Sequence, residues 1–525
     1  MKSRRCLCIG VALSAVLATA LPAVAATCES LTGLSLSQIT IKAATSSNPT
    51  FPTVQPFCRV IGAATPTVHS NIGFEVWMPL SGWNGKLAGV GSGGSAGSIA
   101  TGSLVVALAR NYAAMATDNG HLGGQWTFAH VPAGDPERVK DFGWRAEHVS
   151  TVAAKAIVQA FYGRAAAHSY FVGCSQGGHH ALMEAQRFPE DYDGIIAGDP
   201  ANNWNHLMLG ELWTGLVSGL RDPANALPQA KLDVLMNALL LACDGNDGIV
   251  DGIVEDPRTC NFDPTVVRCP GGDAPDCLTD GQLEAIRQIY AGTSNPATRE
   301  RIFPGFAHSS ENALRQVLVG LPIPGGSSFS FFRDGIFADP AWNFRAFDFS
   351  VEPARTDNTI AGSETYGAAL NANDPDLRPF ANRGGKLILY HGWSDPFITP
   401  YNTINYYESV VSLIGGHRAR GAALQRTQDF ARLFMVPGMW HCAGGPGPNT
   451  FDMVTALEAW VEKRKAPRRV LGTKYVGDNP NNAVVLTRPL CAYPRVAHYK
   501  GEGDPSDAGS FICRENRSPE REDDD

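Results

Sequence analysis

The pentapeptide Gly173-Cys174-Ser175-Gln176-Gly177 constrains this chain more than any other stretch. It fits G-x-S-x-G, a turn in which a serine leaves a strand on a sharp bend and stands at the start of a helix. Its flanks agree. The apolar run "SYFVG" (169–173) precedes the turn, and "GGHHALMEAQRFP" behind it can form a helix. Glycines at 173 and 177 leave the room the bend needs, and the helix N-terminus would aim amides at the serine. In a chain with 55 glycines the pentapeptide alone is weak evidence; its context gives it weight.

The rest of the chain supplies the architecture such a turn requires. Apolar runs at 73–80, 85–91, 169–173 and 385–392, with a fifth at 432–438, end in Gly-rich turns and read as buried parallel strands. Helical patterns lie between them, as in 143–163, where Val149, Val152, Ala153, Ile157 and Phe161 share one face. This alternation predicts an α/β fold with a mainly parallel sheet, an α/β-hydrolase core. The texture changes at 203–372, where prolines and acidic turns multiply and aromatics cluster in "FSFFRDGIFADPAWNFRAFDF" (329–349). That segment is too apolar and cysteine-rich for a linker and is expected to form an inserted lid domain between core parts 26–202 and 373–515. Its Phe and Trp residues either wall an aromatic pocket or form the insertion's own core.

Residues 1–25 read as an export signal: Lys2, Arg4 and Arg5 precede an apolar run, and Ala23-Val24-Ala25 is a small-residue cleavage pattern. The mature protein is therefore expected in the periplasm or outside the cell. Residues 516–525 read as a solvated acidic tail. The net charge of −8 comes without any basic cluster, which argues against nucleic acid or an anionic membrane as partner. Ten cysteines remain beyond the signal: Cys28, Cys58, Cys174, Cys243, Cys260, Cys269, Cys277, Cys442, Cys491 and Cys513. An even number in an oxidising compartment predicts five disulfides, with Cys243/Cys260, Cys269/Cys277 and Cys491/Cys513 as natural local pairs.

A serine on such a turn needs an acid and a base, in the chain order Ser, Asp, His. Asp395, in "LILYHGWSDPFITP", follows a late strand-like run and meets the first need. Of the later histidines, His441 directly follows an apolar run, whereas His417 and His498 lie in polar surroundings. Cys174 precedes the serine and Cys442 follows the histidine. If Ser175 and His441 are within hydrogen-bond reach, a Cys174–Cys442 disulfide is geometrically reasonable, and the cysteine is a staple, not a second nucleophile.

With these residues in view, the chain resembles the tannase and feruloyl esterase family of α/β-hydrolases. The resemblance runs through "GWNGKLAGVGSGGSAGS" (82–98), "ATDNGH" (116–121), "FVGCSQGGHHALMEAQRFPEDYDGIIAGDPANNW" (171–204), "HGWSDPFITP" (391–400) and "VPGMWHC" (436–442). It implies Ser175 as nucleophile, His441 as general base and Asp395 as the acid orienting it, with Cys174 and Cys442 bonded. The oxyanion hole is expected at the backbone N–H of Gln176 and one from Gly93 or Gly94. Where that family often carries Asn, this chain has Ser92. In "CDGNDGIVDGIVEDP" (243–257), Asp244, Asp247 and Asp251 supply hard oxygens on a Gly-rich curl. The resemblance implies a structural calcium there, held by those three side chains and the Ile249 and Ile253 carbonyls; no organic cofactor is expected.

The function expected is hydrolysis of aromatic acid esters (hydroxycinnamic, gallic or related hydroxybenzoic) through an acyl-enzyme. A terephthalate monoester hydrolase of the same family is the alternative. A serine carboxypeptidase, a non-catalytic calcium-dependent binding protein and a redox protein using a free Cys174 are more distant rivals.

Overall fold

A computed structural model describes residues 26–47, 55–124, 126 and 136–515, so the signal-like segment and the acidic tail lie outside the described residues. Nine strands form one sheet: β1 (Ile39–Ser47), β2 (Phe57–Ala64), β3 (Ile72–Pro79), β4 (Lys86–Val90), β5 (Ala113–Thr117), β6 (His168–Cys174), β7 (Gly194–Gly198), β8 (Lys386–Gly392) and β9 (Ala431–Val436). Their order is β1-β2-β3-β5-β4-β6-β7-β8-β9. From β5 to β9 all neighbours run parallel, while β1, β2, β3 and β5 pair antiparallel. The 73–80 run, read as a parallel strand, is thus antiparallel to both neighbours. Its apolar composition, broken only by the buried Glu75 that pairs with Arg59, reflects burial on both faces, which is the property a parallel strand would share.

Alternate residues of the central strands serve opposite faces. Phe171, Ile195, Leu387 and Leu389 pack with the helices α1 (Gln176–Arg187) and α3 (Pro400–Gly415). Tyr170, Ile196, Ile388 and Phe434 pack with α4 (Met453–Lys463) through Leu457 and Trp460. A sheet covered on both faces leaves its strand ends as the natural place for a site.

The chain leaves the sheet after β7 and returns at β8, and the path between is helical and loop-rich. It begins with α2 (Trp204–Gly215). The aromatic run at 329–349 is mostly core: Phe331, Phe332, Phe344, Phe347 and Phe349 are buried against one another and against Trp126, Phe142 and Trp204. Five disulfides are formed, Cys28–Cys58, Cys174–Cys442, Cys243–Cys260, Cys269–Cys277 and Cys491–Cys513. No helix among the described residues is long and apolar enough to cross a membrane.

Candidate active site

Four adjacent strands each deliver one polar side chain at their C-terminal ends. Ser175 follows β6, Asp199 follows β7, Asp395 lies just beyond β8, and His441 just beyond β9. Ser175 occupies the bend before α1 with φ 63° and ψ −121°, a region non-glycine residues rarely adopt without support from their surroundings. That support is close packing. A Cβ on Gly173 would lie 2.2 Å from the Gly177 carbonyl oxygen, and one on Gly91 would lie 2.4 Å from the Gly177 Cα. The Ser175 N–H donates to the Gly198 carbonyl at 2.9 Å and pins the bend to β7.

The three expected residues come together. His441 Nε2 lies 2.8 Å from Ser175 Oγ, and Nδ1 lies 2.7 Å from Asp395 Oδ2. Asp395 is fully buried, and its other oxygen accepts the N–H groups of Phe397 and Ile398 at 2.8 and 3.0 Å. Burial would raise the Asp395 carboxyl; the charges and hydrogen bonds of His441 and His391 outweigh it and hold the group well below the usual carboxylate range. Burial likewise opposes the His441 imidazolium, but the Asp395 charge and hydrogen bond, with Asp199 and Glu211, raise it to about 9.

Cys174 and Cys442 are bonded, with their Cα atoms 6.0 Å apart at a sequence separation of 268. The free thiol that a redox role for Cys174 requires does not exist in this structure. Sequence reasoning missed the residue behind the bridge. Asp199 is fully buried; its Oδ2 accepts from the Cys442 N–H at 2.7 Å and its Oδ1 from the Gly392 N–H at 2.8 Å. One carboxylate therefore ties the base-bearing loop to the end of β8, the strand that leads to Asp395. Burial raises Asp199, against the pull of His391 and His441. A signal was available: like Asp395, it is an acid directly after an apolar strand, in "DGIIAGDP".

The serine and imidazole open on a cavity of about 430 Å³. Gly93 and Gly94 line it beside Ser175, and Gln176 is fully buried as the first residue of α1. Both glycines remain candidates for the second amide. Ser92 donates to Asn119 Oδ1 at 2.8 Å, which fastens the glycine loop to the "ATDNGH" turn. The walls are Trp204, Leu207 and Met208 of α2, with Phe397 and Ile398. The pocket's aromatics thus come from elsewhere than the 329–349 run.

The acidic loop 243–257 gathers oxygen donors of the kind a hard cation takes. Asp244 accepts the N–H groups of Asp251 and Gly252, Asp247 that of Ile249, and Asp251 that of Ile253. Burial pushes Asp247 up to about 6, with the Asp251 and Asp244 charges adding to it against the pull of the Ile249 N–H and Arg488. Among the described residues no hydrogen bond reaches the Ile249 or Ile253 carbonyl. The three carboxylates do not themselves converge within 4.8 Å, so a cation there would need main-chain oxygens as well. All-oxygen donors in this number suit calcium. Sequence reasoning missed Arg488, 1 % exposed, whose Nη2 pairs with Asp251 Oδ2 at 2.5 Å.

Comparison with known proteins identifies the family. The family model for tannase and feruloyl esterase matches residues 58–514. The chain is 39 % identical to an uncharacterised esterase of Xanthomonas campestris pv. campestris, over 96 % of this chain and 93 % of that one. It is 35 % identical to the mono(2-hydroxyethyl) terephthalate hydrolase of Piscinibacter sakaiensis, over 87 % and 84 %. Its fold matches the crystal structure of feruloyl esterase B from Aspergillus oryzae with a TM-score of 0.83 and 26 % identity, covering 93 % of this chain and 99 % of that one. The chain belongs to the tannase and feruloyl esterase family and is a carboxylic ester hydrolase.

Proposed function

We propose that this enzyme hydrolyses esters of aromatic acids by two-step acyl transfer on Ser175. The observation that carries the reading is the His441 ring, held between Ser175 Oγ and Asp395 at the mouth of a pocket walled by Trp204, Leu207, Met208 and Phe397. Neutral His441 takes the Ser175 proton as Oγ attacks the ester carbonyl. Asp395 stabilises the imidazolium, and the amides of Gln176 and of Gly93 or Gly94 receive the oxyanion. Loss of one such amide typically costs about 3 to 4 kcal/mol in the barrier. The imidazolium protonates the departing alcohol, and water then releases the acid by the same steps in reverse roles.

Hydroxycinnamic, gallic and hydroxybenzoic esters are the substrates this reading favours. A terephthalate monoester is the second reading, supported by the likeness to the Piscinibacter sakaiensis hydrolase. Against it, neither Lys nor Arg occurs among the described lining residues to meet a terephthalate carboxylate. Calcium belongs to the proposal as a structural ion. Asp244, Asp247 and Asp251 with the Ile249 and Ile253 carbonyls would hold it, and it would supply positive charge to a buried acidic curl. The test is a panel of methyl gallate, methyl ferulate, chlorogenate, a paraben and a terephthalate monoester, with a peptide panel beside it. Turnover of hydroxylated aromatic esters well above the terephthalate monoester is expected; peptide cleavage without ester cleavage would overturn the reading.

A further inference from the structure

Helix α2 presents Trp204, Leu207, Met208 and Glu211 to the pocket, spacings that place all four on one face. Three of them are apolar. The fourth is a carboxyl group, and besides His441 it is the ionisable group among the described lining residues. Glu211 is not a surface acid that strays inward. Its Oε2 accepts the backbone N–H groups of Ser327 and Ser328, each at 2.9 Å. Gly326 makes this approach possible: φ is +68°, and a Cβ there would lie 2.3 Å from the Glu211 carboxyl carbon. The Ser327 hydroxyl in turn lies 2.9 Å from that of Ser95, on the loop bearing Gly93 and Gly94. The carboxyl group therefore sits where α2, the 326–328 turn and the candidate oxyanion loop meet.

Among the described residues no hydrogen bond reaches Glu211 Oε1. We propose that Glu211 is a specificity-determining residue whose Oε1 binds a ring hydroxyl of the substrate's acyl group, selecting hydroxylated aromatic acids over unsubstituted ones. This rests on the aromatic-ester reading above and narrows it to a substrate class. Burial pushes the Glu211 carboxyl up to about 8, against the Ser328 and Ser327 N–H groups and the His441 charge. Near neutral pH the side chain accordingly keeps a proton. With Oε2 occupied by two N–H donors, that proton belongs on Oε1, where it can be donated to a phenolic oxygen. A pocket built this way penalises a ring that offers no partner, because the polar group is then desolvated without compensation.

The test compares kcat/KM for methyl 3,4-dihydroxybenzoate and methyl benzoate within each of wild type, Glu211→Leu, Glu211→Ala and Glu211→Gln. Using the ratio cancels any general loss of activity. In parallel, 3,4-dihydroxyacetophenone and acetophenone are compared as competitive inhibitors of 4-nitrophenyl acetate hydrolysis. Wild type is expected to favour the hydroxylated partner by at least about tenfold in both assays. Leu and Ala should reduce that preference to within about twofold, and Gln, which keeps a donor toward the pocket and an acceptor for Ser327 and Ser328, should retain most of it. A preference surviving in the folded Leu or Ala variant overturns the proposal. So does a wild-type preference below about twofold in both assays, whatever the variants do. If neither methyl ester is hydrolysed while the inhibitors are still discriminated, the aromatic-ester reading fails and the Glu211 assignment stands.

Discussion

His441 carries two demands that pull its chemistry in opposite directions. It must be neutral to accept the Ser175 proton, yet Asp395 and Asp199, joined by Glu211 once that group is ionised, favour its charged form and raise it to about 9. Activity should therefore rise with pH as the imidazolium loses its proton. We expect kcat/KM for 4-nitrophenyl acetate to climb from about pH 6 and level off only above about pH 9. Asp199→Asn removes one of the charges that hold the proton, so the midpoint should fall by about half a unit or more. An unchanged midpoint would show that Asp199 does not act on the base. The same substitution replaces one of two acceptor oxygens by an amide nitrogen. Either Cys442 or Gly392 then loses its acceptor, at a cost of about 1 to 3 kcal/mol in stability. Ser175→Ala should lower ester hydrolysis at least about a thousandfold and leave the melting temperature near that of wild type. Residual turnover of several per cent would require another nucleophile.

At the scale of elements, the central strands were legible because burial on both faces left unbroken apolar runs, and Ser175 because its bend has a local pattern. Asp395 and His441 were found by position after such runs. The antiparallel half of the sheet was less visible: β1, "ITIKAATSS", opens on two isoleucines alternating with polar residues, ends in small and polar ones, and gives no continuous apolar run. Glu211 was hidden for another reason. Its neighbours on α2 are apolar nearly all round, and nothing in the sequence says that residues 326–328 fold back to meet it. The Cys174–Cys442 bridge joins the β6 bend to the loop after β9 and encloses the whole insertion. Loop-closure entropy for so long a loop gives about 5 kcal/mol as an upper figure. Replacing both cysteines by alanine should lower the melting temperature and inactivate the enzyme, and added dithiothreitol should then change little. Wild type should lose activity under the same reductant. Activity that withstands reductant, with the bridge shown to be open, would contradict the staple.

Across the whole molecule, the calcium-type loop faces the C-terminal part of the chain. Arg488 pairs with Asp251, and the Ala497 N–H donates to Glu255 Oε1 at 3.0 Å. Removing the proposed ion should therefore be felt as global stability. Chelation is expected to lower the melting temperature and calcium to restore it, while Asp247→Asn abolishes the difference between the two states. Identical melting with and without chelator in wild type would argue against the ion. The insertion contributes Trp204, Leu207, Met208 and Glu211 to the pocket, the sheet contributes Ser175, His441 and Asp395, and the site exists only where the two meet. Peptide-level mass spectrometry after reaction with a fluorophosphonate identifies the nucleophile outright. A single stoichiometric adduct on Ser175 is expected, absent from Ser175→Ala and strongly reduced in His441→Ala. An adduct on another residue, or wild-type enzyme that hydrolyses esters without forming one, would contradict that assignment.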